Sequence, residues 1–182
     1  MEAVKVVLTY ADYVALPDDG KRYEILDGEL SVTAAPGRTH QRAVGTLFSL
    51  FDAHVRARGL GEVYVSPFDV ILHDTSIVQP DIVYVATARL GIISERGVGG
   101  TPTLAVEVIS PSSGQIDRHT KLQLYARYGV PHFWIVDPFA RSIDAHVLQS
   151  VGYVLAARAA GDEPLCAEPF PDLTIPLTSL WD

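Results

Sequence analysis

Two short apolar runs separated by a helix-patterned segment constrain this chain more than any other feature. "TLAVEVIS" (103–110) and "HFWIVDP" (132–138) are rich in β-branched and aromatic residues. About twenty residues lie between them, ending in Tyr128-Gly129-Val130-Pro131, where a helix would stop. Strand, helix and strand in that order read as a βαβ crossover, which makes the two strands parallel neighbours in one sheet. A strand buried on both faces should carry no unpaired charge, yet Glu107 interrupts the first run.

The remaining segments fit around that unit. Thr9 is placed to cap a short helix through Leu16, ended by "PDDG". "RYEILDGELSVTAA" alternates into a hairpin, because Asp27-Gly28 suits a type I′ turn. A helix is predicted over Thr39 to Arg58, with Val44, Leu47, Phe48, Phe51 and Val55 on one face and Gly59 as its terminator. "EVYVSPFDVIL" and "IVQPDIVYVA" read as two strands around the turn-like "HDTS", and residues 87–102 as loop. A helix from about Ile116 to Tyr128 follows "PSSG". "SIDAHVLQS", further short strands, a proline-rich loop and a turn of helix near Leu180 close the chain. The expected class is α/β, or α+β with a central mixed sheet flanked by helices and an N-terminal β-hairpin, as one domain over residues 1–182.

Composition narrows the functions available. At 48% hydrophobic and 20% charged, the chain is globular in character. Its single cysteine, Cys166, excludes an internal disulfide and a multi-cysteine zinc site. The N-terminus lacks a basic start and long apolar run, and no segment suits a membrane span, so a soluble cytoplasmic protein is expected. A formal net charge of −8 is the wrong sign for a nonspecific nucleic-acid clamp. Local basic patches at Arg38, Arg42, Arg56 and Arg58, and at Arg118, Lys121 and Arg127, could still meet phosphates.

Asp81, after Pro80, lies in a second apolar strand of similar character to that of Glu107. If the two strands are adjacent, both carboxylates can reach one hard divalent cation, Mg²⁺ or Mn²⁺, which needs few protein oxygens. Hydrolysis of a phosphodiester also wants a cation, and Ile109 on the same strand face cannot supply it. Lys121, Leu124, Tyr125 and Tyr128 share one helix face, and packing of that face on the sheet would aim Lys121 toward Glu107. Plainer readings stand beside these. Asp81 fits a solvated edge-strand residue, Glu107 a buried ion pair with Lys121 or an arginine, and Lys121 a surface pair with Asp117. By position alone Glu24 reads as a cross-strand surface residue and His40 as an exposed residue at a helix start. Asp69 and the remaining histidines show no ligand spacing, and Ser110 to Gly114 lacks P-loop features.

"RYEILDGEL", "HQRAVGTL", "SPFDVIL", "QPDIVYVA", "LAVEVISPSS", "DRHTKLQLYARYGVPHFWIVDP" and "PFPDLTIPL" together resemble the Uma family, whose members are described as putative restriction endonucleases of the PD-(D/E)XK nuclease-like group. The resemblance covers about Thr9 to Leu180. It implies a restriction-endonuclease-like core, a Mg²⁺-type site and a nucleic-acid substrate, DNA first. By resemblance Pro80-Asp81 matches the PD element and Glu107 the acidic residue of (D/E)XK. Ile109 departs from the lysine of that element, and Lys121 matches a lysine displaced to the helix. Glu24 and His40 also match family positions. A symmetric homodimer would allow double-strand cutting. Two other classes stay open at this point: a noncatalytic scaffold on the same fold, and a hydrolase of small phosphoesters.

Overall fold

The computed structural model describes residues 6–111, 114 and 116–181. Among these residues, two six-stranded mixed sheets and a small third sheet carry four α-helices. A short helix α1 (Tyr10–Val14) opens the described chain, with Thr9 and Asp12 forming a capping box. The hairpin β1 (Arg22–Leu26) and β2 (Glu29–Thr33) turns at Asp27 and Gly28, with φ of 52° and 83°, as a type I′ turn demands. Helix α2 (Arg38–Arg58) ends at Gly59 in the left-handed region, one residue longer at its start than expected.

The two strands expected between residues 62 and 86 are four. Pro67 and Pro80 cannot donate to a ladder, and each proline divides its run. The pieces are β3 (Gly61–Val65), β4 (Val70–His73), β5 (Ser76–Val78) and β6 (Ile82–Ala86). The expected loop after Ala86 contains a 3₁₀ turn and a small hairpin, β7 (Ile93–Ser94) and β8 (Gly97–Gly99).

Strand β9 (Leu104–Val108) runs parallel to β10 (His132–Asp137), so the crossover is as expected. The connecting helix is not α-helical throughout. Residues Ile116–Lys121 form a wider π-helical turn, and α3 is only Leu122–Arg127. The turn expected over Ser110 to Gly114 includes Ser112 and Ser113, which lie outside the described residues. Strands β11 (Ser142–Gln149) and β12 (Gly152–Ala160) complete the sheet, followed by the hairpin β13 (Pro164–Ala167) and β14 (Phe170–Pro176) and by α4 (Thr178–Trp181).

The central sheet has the order β12-β11-β10-β9-β6-β3, and the second sheet β2-β1-β5-β4-β8-β7. Alternation along β9 sends Val106 and Val108 to one face, with Trp134, Val136 and the α2 residues Leu47 and Phe51. The opposite face, with Ala105 and Ile109, packs on Leu124 and Tyr125 of α3 and on Val70, Val78 and Val98 of the second sheet. Glu107 falls on that second face, between two sheets and a helix. Asp81 precedes β6, which is flanked by β9 and β3, so it is not on an edge strand. No helix among the described residues is long and apolar enough to cross a membrane.

Candidate active site

Register alone brings the two acids together. β6 pairs antiparallel with β9 through Ile82↔Val106 and Val83↔Ala105, and one further step along that register sets Asp81 across from Glu107. Asp81 Oδ2 accepts the Val108 backbone N–H at 2.7 Å, which ties it to the β9 backbone. His40, in the first turn of α2, lies 3.2 Å from the same oxygen through Nε2 and is 8% exposed. Glu24 and Arg22 share one face of β1 by alternation, and both point into the same space. The Gln79 backbone N–H, just past β5, donates to Glu24 Oε1 at 2.8 Å.

Lys121 reaches the cluster from the π-helical turn and is 2% exposed. Its Nζ lies 2.9 Å from Glu24 Oε1, 3.0 Å from Glu107 Oε1 and 3.6 Å from Asp117 Oδ1. Tyr125, one turn on, donates its hydroxyl to Glu107 Oε1 at 2.7 Å. Arg22 closes the far side. Its Nη1 is 2.8 Å from Asp81 Oδ1, while Nη2 donates to the Gln79 carbonyl and lies 3.6 Å from Glu107 Oε2 and 3.7 Å from Glu24 Oε1.

All five residues singled out in the sequence therefore converge; the edge-strand and surface placements do not describe Asp81, Glu24, His40 and Lys121, whereas Glu107 does make the buried ion pair with Lys121. Glu24 and His40 are buried, and Asp117 with Lys121 is an interior pair at 2% exposure each. Sequence reasoning passed over Arg22 and undervalued Asp117 and Tyr125. Arg22 stands two residues before Glu24 on the same strand face. Asp117 and Tyr125 stand four residues either side of Lys121, and those spacings were the available signals. Within the expected basic patches, Arg56 pairs with Asp52, Arg118 with Asp137 and Arg127 with Asp27.

The electrostatics are unbalanced. A cavity of about 200 Å³ is walled by four carboxylates, Glu24, Asp81, Glu107 and Asp117, against two cations, Arg22 and Lys121. Burial pushes the Glu107 carboxyl up to about 8, with Asp117 and Asp81 adding to the effect and Lys121 and Arg22 opposing it. Burial works in the same sense on Asp81. There the His40 hydrogen bond, the Arg22 charge and the Val108 amide prevail and hold the carboxyl below its usual range. Burial disfavours the Lys121 ammonium, but Glu107 and Glu24 more than offset it and raise its pKa. Among the described residues no three His, Cys, Asp or Glu side chains are grouped closely enough to ligate one ion, because the two cations stand between the acids.

The family model described as "Uma2: Putative restriction endonuclease" matches residues 10–178. A solved structure of a putative nuclease belonging to DUF820, from Anabaena variabilis, matches with a TM-score of 0.78 at 16% identity, covering 96% of this chain and 97% of that one. No curated protein matches the chain. The structural likeness shows the fold, a mixed α+β core of the restriction-endonuclease-like kind with its sheet flanked by helices.

Proposed function

The chain belongs to the Uma2 family, described as putative restriction endonucleases, and from that premise we propose a divalent-metal-dependent endonuclease acting on DNA. The observation that carries the reading is the buried excess of two negative charges at the cluster when all four carboxylates are ionised. Isolated buried charge is costly, and a protein relieves it by taking up protons or a cation. The raised pKa of Glu107 is the proton solution in the metal-free protein. Hard carboxylate oxygens in a site short of two positive charges suit Mg²⁺ or Mn²⁺ as the other solution.

Asp81 and Glu107 would hold the ion, on adjacent strands that fix their separation. The ion would supply Lewis-acid stabilisation of charge on the phosphate. The chain's own groups do the rest. Lys121 is a desolvated, preorganised donor that orients water or stabilises charge building on the phosphate. Tyr125 fixes Glu107 by donating to it. Arg22, 19% exposed in its side chain, is the cation most open to the cavity and would bind a phosphate oxygen in exchange for a carboxylate. His40 orients Asp81 through the contact at Oδ2, and Glu24 anchors Lys121.

The test is calorimetric titration of Mn²⁺ into the wild type and Glu107→Gln, beside cleavage of DNA, as single-stranded circles and as supercoiled plasmid, by both. Binding and cleavage in the wild type, both lost in the variant, are expected. A wild type that binds no Mn²⁺ would leave the cluster a structural ion-pair network, and the reading would fall.

A further inference from the structure

We propose that the cavity beside the cluster is a subsite for one unstacked base, so that the substrate strand is unpaired where it is cut. This rests on the phosphodiesterase reading above and names the substrate class that the same site takes. The cavity has a volume of about 400 Å³, and Arg22, His40 and Asp81 line both it and the smaller cavity at the carboxylates. The two spaces therefore share a wall that includes Arg22, His40 and Asp81. A phosphate held there has its neighbouring nucleoside in the second space.

The walls suit a base better than another phosphate. Val44, Val65 and Pro67 give apolar surface, and Val65 leaves 39% of itself exposed. Gln41, exposed on α2, adds a side-chain amide, a donor and an acceptor together. The cations are few: Lys21 is committed to Asp19 at 2.6 Å, and Asp18 faces the same space. Small mixed pockets with apolar walls and a few polar groups are ordinary small-molecule sites, and a base has that chemistry. In a duplex the base is stacked and paired, and must be extruded at a cost before it can enter. A single strand presents it directly.

The experiment measures binding and turnover separately. Fluorescence anisotropy, with Ca²⁺ in place of Mn²⁺, compares a labelled oligothymidine, the same strand annealed to its complement, and an abasic sugar–phosphate strand of equal length. The wild type is expected to hold the single strand about tenfold more tightly than either of the others. Val65→Trp, at a half-open surface position, and Gln41→Leu are expected to bring the single strand down to the abasic level. Equal affinity for the abasic strand, preference for the duplex, or no binding at all overturns the subsite. Hydrolysis of bis(p-nitrophenyl) phosphate with Mn²⁺ reports the reaction centre without a base. No turnover with the base preference intact rejects the nuclease reading and keeps the subsite, and turnover without the preference does the reverse.

Discussion

Lys121 Nζ and Glu107 Oε1 lie 3.0 Å apart with both side chains almost wholly buried, fourteen residues apart in sequence. The sheet supplies the acid and the crossover helix supplies the cation, so the pair depends on the βαβ unit itself. Ile109, two residues after Glu107, is 6% exposed and packs in the core, so the strand that carries the acid is released from carrying the cation.

Removing that cation should be costly. Lys121→Met leaves Glu24, Glu107 and Asp117 facing one another, and breaking a buried pair by deleting one partner costs about 3–5 kcal/mol. Adding Glu107→Gln to the same chain should recover part of the loss, because the stranded charge goes too. Urea denaturation of the two single variants and the double variant measures the coupling. Strict additivity would mean the two side chains do not support each other.

The pH dependence of stability has a definite sign. The Glu107 carboxyl sits at about 8 in the fold, above the value of 4.5 for the free group. Between those values the folded chain keeps a proton that the unfolded chain has released. Its contribution is therefore full below about 4.5 and is lost as pH rises through about 8. Asp81 acts oppositely and lower, since its depressed carboxyl stabilises above 3.8 and fails as pH falls past it. Without metal, the wild type should lose stability relative to Glu107→Gln as pH goes from about 5 to 8, by at most about 1.4 kcal/mol per unit. Denaturant midpoints of both chains across that range would show it, and a difference that stays flat would rule out the uptake.

Much of this was legible in the sequence because it follows from short-range rules. Alternation put Ala105, Glu107 and Ile109 on one face, helical spacing put Lys121 beside Leu124 and Tyr125, and Asp27-Gly28 dictated its turn. Arg22 was not legible as a site residue. Its role depends on the second sheet folding β1 against the Gln79–Asp81 connection, a contact that no local pattern encodes. The π-helical turn escaped for a related reason. Its residues have ordinary helical propensity, and Asp117 with Lys121 looked like a solvated pair until the sheet buried both. Pro67 and Pro80 did announce breaks, but which sheet each resulting strand joins is a tertiary outcome.

Arg22→Gln separates phosphate binding from metal binding. Losing the guanidinium raises the local excess, counted with all four carboxylates ionised, from two negative charges to three, so Mn²⁺ should bind more tightly. DNA cleavage should nevertheless fall by about 10²–10³ in kcat/KM, the cost of losing a preorganised charged donor. Calorimetry and steady-state kinetics on one preparation test both directions. Metal affinity that drops together with activity would mean that Arg22 only holds Asp81 and Glu107 in place.

A support lies behind the cluster and can be weakened without touching it. Asp69 Oδ1 accepts the Tyr13 hydroxyl at 2.7 Å and the Gln79 side-chain amide at 2.8 Å. Gln79 in turn holds Glu24 through its backbone N–H and receives Arg22 at its carbonyl. Burial, reinforced by Asp69, pushes the Tyr13 phenol well up, so it remains a donor at any working pH. Asp69→Ala should cost about 1–3 kcal/mol of stability, since it strands the partly buried Tyr13 hydroxyl proton and leaves the Gln79 amide only its bond to that hydroxyl oxygen. It should also lower kcat/KM on DNA by about tenfold through looser placement of Glu24 and Arg22. The Mn²⁺ stoichiometry should not change, because Asp81 and Glu107 are untouched. Tyr13→Phe, which leaves Gln79 to bond Asp69 alone, should show the same pattern at smaller size. Loss of stability with full activity in both variants would make the Tyr13–Asp69–Gln79 chain a brace for α1 with no part in placing the site.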